Sequence, residues 1–414
     1  MIDVAIYRAR LADNPGLVDV FISGGKIIEI RPAADEVDAK TVIRADGALL
    51  SPGFVDTHMH LDKTGVVMPE ESPTLDLAVE NYSKYINSFT PDNLVEDIKR
   101  RARETLRRAV AAGTTTVRTH VNVEAANGIR SIEAINELRE ELRPYIDIQI
   151  TALPSFYDGP EAQKKRMGLL DSVARDGLVD AMGGAAHLHD NKIELTRQLF
   201  EIAVKNDIDV DFHIDEQDDP DIDTFIETAR LTKKYGYEGR VSCSHITALC
   251  RVDDGLAKEA IAQAKEADLN IITLPSCNLY LMGRTDSQPI ARGVTRIKEF
   301  LAAGVNTVYA SDNIRDPFRP IGNGDMLEEG LLTGQVAQML TDSEFQTIHE
   351  MGTVNAAKAL RLADYGLDVG KKADLVLLDA SDIGTAYRDQ AVRIAVIKNG
   401  QVVATNQLKT EVNF

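Results

Sequence analysis

Leu49-Leu50-Ser51-Pro52-Gly53-Phe54-Val55-Asp56-Thr57-His58 is an apolar, extended run that leads into Met59-His60-Leu61-Asp62. It reads as a strand that carries two imidazoles and a carboxylate to its C-terminal end. The pattern recurs downstream. Beyond the first strand (49–58), short apolar runs predict strands over 115–120, 147–153, 179–184, 207–213, 240–245, 270–274 and 306–311. Helical segments are expected between them, including 91–112, 192–205, 220–235, 255–266 and 297–303, with Gly113 and Gly304 placed to end two of these. Eight strands alternating with helices over about 300 residues imply parallel pairing. The fold class is therefore α/β, a (β/α)8 TIM barrel.

The two ends of the chain read differently. Asp19 to Ile30 is two β-branched runs around Gly24-Gly25, and two more apolar runs flank Asn399-Gly400 near the C-terminus. Both are hairpin signals. Two β-rich ends around a long middle predict a small β-sandwich domain built from residues 1–50 plus 364–414, and a catalytic barrel over 51–363.

The chain has 414 residues and a formal net charge of −19, which disfavours nucleic acid and anionic membranes as partners. Its 44% hydrophobic content suits a folded core rather than disorder. Cys243, Cys250 and Cys277 are odd in number and lack CxxC spacing, so neither a disulfide framework nor a thiolate zinc site is expected, and a reducing cytoplasm fits. Met1-Ile2-Asp3-Val4 has no basic leader, and no run approaches the roughly 18 apolar residues of a membrane helix.

With only eight histidines, their positions carry information. Catalytic groups in such barrels sit at the C-terminal ends of strands. The first strand ends in His58 and His60, the fifth in His213-Ile214-Asp215-Glu216, the sixth in Ser244-His245 and the eighth in Ser311-Asp312-Asn313. Alternate residues of a strand share a face, so His58 and His60 can point into the mouth together. Two neutral imidazoles leave a divalent metal under-coordinated, and His213 and Asp312 complete the set with one position open for water. Glu216 is placed to swing over the mouth as a proton shuttle. Asp215, Asp218 and Asp219 read as solvated loop acids. His245 is open between orienting the attacking water and acting as a fourth nitrogen ligand. His120 either faces substrate or lies behind the ligands. His187 would touch substrate if its segment faces the mouth; His189 reads as loop and His349 as surface.

Pro52-Gly53-Phe54-Val55-Asp56-Thr57-His58-Met59-His60-Leu61-Asp62-Lys63 resembles the opening motif of the amidohydrolase superfamily. The segments Val117 to Val123, Phe212 to Glu216, Ser244 to Ala248 and Ser311 to Phe318 are similar to the cytosine deaminase and N-isopropylammelide isopropylaminohydrolase group, as are Gly322-Asn323-Gly324-Asp325-Met326 and Gly370 to Val376. The resemblance implies His58, His60, His213 and Asp312 as ligands of one divalent metal, Fe²⁺ or Zn²⁺. It implies Glu216, His245 and Asp312 as catalytic residues, with Glu216 protonating a ring nitrogen and Asp312 accepting the proton of the water. It implies a metal-bound hydroxide attacking the amine-bearing carbon of a small heterocycle such as a pyrimidine or s-triazine. It also makes self-association into homo-oligomers an expectation.

Three positions depart from cytosine deaminase. Ser155 replaces a glutamine, Asn313 replaces a second aspartate, and Phe318 replaces a tryptophan. With His120 and His187 these are the expected substrate contacts, and they point away from cytosine itself. The alternatives are a cyclic amide hydrolase of the dihydroorotase or hydantoinase kind, disfavoured because no lysine lies on the third or fourth strand, and a non-catalytic scaffold on the same barrel.

Overall fold

The computed structural model describes residues 2–35, 37–68, 74–154 and 160–413. Eight parallel strands, Phe54–Met59, Thr114–Val123, Asp147–Pro154, Ala181–Gly184, Asp209–Ile214, Val241–His245, Asn270–Thr273 and Asn306–Tyr309, pair in chain order. The first and last meet through a bridge between Met59 and Asp312, where the Asp312 N–H donates to the His58 carbonyl at 2.9 Å. That contact brings the eighth strand end to the histidine pair. Parallel strands with helices outside are buried on both faces, which explains their near-continuous apolar runs.

The helix Pro91–Ala111 shows how the shell is built. Proline opens it, and Leu94, Ile98, Ala102, Leu106 and Val110 recur every four residues to form the buried stripe. Gly113 follows its end with φ 95°, and a Cβ there would lie 2.9 Å from Val376. The barrel interior is not wholly apolar. Arg118 on the second strand bonds Gln149 on the third (3.0 Å) and Asp211 on the fifth (3.2 Å), so an ion pair crosses the barrel between strands that are not neighbours.

The first expected strand is two strands. Leu49–Pro52 pairs antiparallel with Leu375–Leu378 in a second, mixed sheet, whereas Phe54–Met59 belongs to the barrel. The switch occurs at Gly53, whose N–H donates to Asp374 while that of Phe54 donates to Gly113. A Cβ on Gly53 would lie 2.3 Å from Thr115, so only glycine lets the chain pass so close to the second strand.

The second sheet is drawn from both ends of the chain. Its path runs from Gln401–Thr405 through Arg393–Lys398, Leu375–Leu378, Leu49–Pro52, Ile2–Leu11 and Asn14–Ser23 to Lys26–Pro32, with Ala39–Arg44 parallel to Ile2–Leu11. Both expected hairpins form, at Gly24-Gly25 and at Asn399-Gly400, and all four turn residues have positive φ. Val4, Ile6, Val20, Ile22, Leu375, Leu377 and Ile397 form its core.

His349 is not on the surface. It is buried behind the Leu49–Pro52 strand, with Nε2 2.8 Å from the Ser51 Oγ, and burial pushes its imidazole down to about 4. A helix that reads as polar in sequence can still bury one imidazole at a junction of two sheets, because the Ser51 and Tyr387 hydroxyls meet its two ring nitrogens.

Candidate active site

His58 closes the first strand, completely buried, with Nδ1 2.9 Å from the Ser244 Oγ. Ser244 donates to Asp211 Oδ1 at 3.3 Å, so its oxygen accepts the Nδ1–H of His58. That relay leaves His58 Nε2 with a lone pair. A hydrogen-bonded partner behind an imidazole is what fixes a metal-binding tautomer.

The lone pair faces a crowded centre. Asp312 Oδ1 lies 3.7 Å from His58 Nε2 and 3.2 Å from His60 Nε2, and His60 Nε2 lies 3.3 Å from His213 Nε2. Ligand-capable atoms of His58, His60 and Asp312 lie within 4.8 Å of one another, as do those of His58, His213 and His245. Yet His58 Nε2, His213 Nδ1, His245 Nε2 and both Asp312 carboxylate oxygens are buried without a hydrogen-bond partner. Bonds of about 2.0–2.1 Å to one four- or five-coordinate ion put neighbouring donors roughly 3 to 3.6 Å apart, close to the 3.2–3.7 Å seen here. The donor set of three imidazoles and a carboxylate thus fits a borderline divalent cation.

The electrostatics agree. Burial, then the neighbouring imidazoles, push His58 and His213 well below the ordinary histidine range, which keeps their lone pairs free. Burial alone would raise the Asp312 carboxyl, but the His60 and His245 imidazoles outweigh it and hold it low. Asp312 and His245 also adopt positive φ, 59° and 69°, at their strand ends. Non-glycine residues held there store about 1–3 kcal/mol each and cluster at working sites.

Glu216 is buried beside this centre. Its Oε1 is 3.2 Å from His245 Nδ1 and 3.2 Å from the Asn278 Nδ2, which itself lies 3.1 Å from His245 Nδ1. Burial and the Asp312 charge push the Glu216 carboxyl well above its usual range. With Asn278 donating to Nδ1, the neutral His245 ring carries its proton on Nε2, on the side of the cluster. Asn278 is missing from the sequence reading. It follows the seventh strand, in Pro275–Leu281, and asking what closes that strand would have found it.

The remaining expected contacts separate into two groups. Asn313 and Phe318 line the cavity above the cluster, which encloses about 770 Å³ including the solvent at its mouth. His120 does not line it: the ring packs on His58 with centroids 4.0 Å apart, and Nε2 lies 3.5 Å from Asp211, so it sits behind the ligands. His187 is also buried away from the cavity, and burial pushes it down to about 3, whereas His189 lines the wall. The short turn Ala186–Leu188 reverses which of the two faces inward. Ser155 lies outside the described residues.

Asp215 is no solvated acid. It is buried and accepts from the Thr224 hydroxyl and from the Phe225 N–H at 3.0 Å, which ties the fifth strand to the start of the helix Asp223–Tyr235. Burial pushes its carboxyl up to about 7. Asp218 is half-buried, held by Arg251, and Asp219 is exposed. Asp56 likewise joins the barrel seam, accepting from the Ser311 hydroxyl and N–H.

A model of the amidohydrolase family matches residues 96–404. The chain belongs to the amidohydrolase family. It is 34% identical over 98% of both chains to an N-isopropylammelide isopropyl amidohydrolase of Pseudomonas sp. (strain ADP). It is 32% identical to a pterin deaminase of Rhizobium rhizogenes, covering 93% of this chain and 87% of that one. The structure superposes on a 5-methylcytosine deaminase from Klebsiella pneumoniae, liganded with phosphonocytosine, with a TM-score of 0.92 at 31% identity, over 99% of this chain and all of the other. As a member of this amidohydrolase family the chain is a hydrolase, and its barrel with an added β-sheet from both termini is the family's architecture. Among the described residues, no helix is long and apolar enough to cross a membrane.

Proposed function

We propose that the chain is a metal-dependent hydrolytic deaminase of a small nitrogen heterocycle such as a pyrimidine or s-triazine. His58, His60, His213 and Asp312 hold one divalent ion, Fe²⁺ or Zn²⁺. The observation that carries this reading is the convergence of buried ligand atoms of His58, His60, His213 and Asp312 on three strand ends, with His58 Nε2 and both Asp312 oxygens left without a hydrogen-bond partner, since leaving such groups unpaired costs about 1–3 kcal/mol each. An ion bound there supplies a coordinated water whose pKa falls from about 15.7 toward about 7.

The chain's own residues do the rest. The Nε2–H of His245 orients the attacking oxygen by a hydrogen bond. Asp312 accepts the proton of the water, and its depressed basicity lets it pass that proton on. Glu216 stays protonated in its buried site and protonates the ring nitrogen next to the carbon under attack. Asp312 passes its proton to the exocyclic amine, the hydroxyl proton on the attacked carbon returns to Glu216, the carbon–nitrogen bond breaks, and ammonia or a small amine leaves as a carbonyl forms. Phe318, Tyr82 and Leu281 give the cavity the apolar walls that a flat ring packs against. The names of the relatives support the same class of substrate.

Ring-amide hydrolysis at a two-metal centre finds less support, because the lysine nearest the ligands, Lys63, is engaged by Asp62 and Asn122 rather than bridging. The test is metal analysis of the purified chain together with an ammonia-release screen of pyrimidines, triazines and pterins. One metal per chain and ammonia from at least one ring are expected; no release from any metal-loaded sample would sink the reading.

A further inference from the structure

Arg319 is a buried guanidinium that does not line the cavity. It lies in the loop after the eighth strand, and its side chain reaches back to the end of that strand. Its Nη1 is 3.0 Å from the Ser311 carbonyl oxygen, 3.1 Å from Glu329 Oε1 and 3.3 Å from the Asn313 carbonyl oxygen. Nη1 carries two hydrogens. The Ser311 carbonyl and Glu329 take one each, and the Asn313 carbonyl, the longest contact, shares. Ser311 and Asn313 are the two chain neighbours of Asp312.

The Ser311 carbonyl and the Asp312 N–H belong to one peptide unit. Arg319 holds its oxygen, and the His58 carbonyl accepts its N–H at 2.9 Å. Fixing that plane at both edges fixes φ of Asp312, which is 59°. A non-glycine residue keeps such a value when the surrounding structure imposes it. Asp56 adds a further hold by accepting the Ser311 N–H at 3.1 Å.

The slot for Arg319 is built. Asp316 Oδ1 accepts the Arg319 N–H at 3.0 Å, and the Asp316 N–H donates to the Arg319 carbonyl at 3.0 Å, which closes the turn that sends the side chain back. Gly322, with φ 108°, leaves room beside the guanidinium, since a Cβ there would lie 3.1 Å from Nη1. Glu329, on the helix Met326–Ala337, meets Arg319 through one nitrogen and one oxygen, and the Arg319 Nε–H is buried without a partner. A guanidinium placed to serve a carboxylate would meet it with two parallel bonds. Here the fork is spent on the two carbonyls instead.

We infer that Arg319 is a positioning residue that clamps the backbone on both sides of Asp312 and so aims its carboxylate at the histidine cluster. This rests on the proposed role of Asp312 as a metal ligand, and metal affinity reads it without turnover. Glu329 balances the charge but touches neither peptide of the strand end. The two halves of one ion pair should therefore differ in their effect on the metal, which a pair serving stability alone would not show.

The test is Zn²⁺ affinity by competition with a chelator, with the visible spectrum of the Co²⁺-loaded protein reporting the geometry of the ligands. Arg319→Met should weaken Zn²⁺ binding by about 10- to 100-fold, the range for losing a group that orients a ligand, and should shift the Co²⁺ bands. Arg319→Lys should recover part of the loss, and Glu329→Gln should stay close to wild type in both readings. Arg319→Met/Glu329→Gln removes both charges together and serves if Arg319→Met does not fold. Its metal-free chain should melt near wild type while the weakened affinity persists. Wild-type affinity and Co²⁺ bands in a folded variant lacking Arg319 overturn the inference, as does an equal loss in Glu329→Gln. A wild type that binds no Zn²⁺ would sink the metal reading and the inference with it. No ammonia from any ring, with the affinity difference intact, would sink the deaminase reading alone.

Discussion

Two clusters of buried polar side chains sit at opposite ends of this barrel, and they are treated in opposite ways. At the N-terminal end, Lys398 is completely buried yet donates to Asp147 and Asp374 at 2.7 Å each, and Asp374 also accepts the Asn399 N–H. Lys372 joins the same carboxylates, and His349 is met by Ser51. At the C-terminal end, His58, His213, His245 and Asp312 are equally buried and keep atoms with no partner. The first arrangement locks the terminal sheet to the barrel. The second is tolerable only if something outside the chain supplies the missing partner. Burial is the same in the two clusters; satisfaction of the polar atoms separates the structural cluster from the binding one.

Substitutions can break that contrast from either side. The largest effect is expected at the mouth. Glu216→Gln keeps the shape and the Asn278 contact but removes the transferable proton, so kcat should fall by about 10²- to 10⁴-fold with metal content unchanged. Steady-state rates with metal analysis check this, and a near-normal rate would remove Glu216 from the mechanism. At the other end, Lys398→Met leaves Asp147 and Asp374 short of a cation and should cost about 3–5 kcal/mol of stability while kcat per folded chain is unchanged. Denaturant melts and activity measured on the same samples decide it.

His349 offers a smaller test. Its folded-state pKa of about 4 lies below the ordinary histidine value, so the unfolded chain binds more protons between the two. Its contribution is present above about 6.5 and is lost as pH falls toward 4, up to about 3 kcal/mol. His349→Gln should flatten that acid slope in melts taken across the window; an unchanged slope would mean that other groups carry it. The smallest effect tests the hydroxyl behind His58. Ser244→Ala removes the relay behind His58 and should weaken metal affinity by about 10- to 100-fold, read by competition with a chelator, with little change in the melting of the metal-free chain.

Much of this was legible in the chain. Alternating apolar runs marked all eight barrel strands, and Gly113, Gly304, Gly24-Gly25 and Asn399-Gly400 marked where elements end, because backbone conformation is a local property. The imidazoles and carboxylates at the ends of strands one, five, six and eight were visible for the same reason: strand period and strand direction together say which residues reach the mouth. What stayed hidden depends on partners distant in sequence. Asp215 reads as a loop acid until Thr224 and Phe225 close on it, and Asn278 carries no local mark of its bond to Glu216 and His245.

The alternation of strands and helices, the two β-rich ends and the residue types at each strand end follow from the order of amino acids alone, since each depends on neighbours a few positions away. Which of His187 and His189 faces the cavity, that His120 lies behind His58, and that Gly53 divides one apolar run between two sheets were decided only by the folded chain. Each depends on which residues the fold packs together, and such a neighbour can be nearly 200 residues away, as Ser244 is from His58.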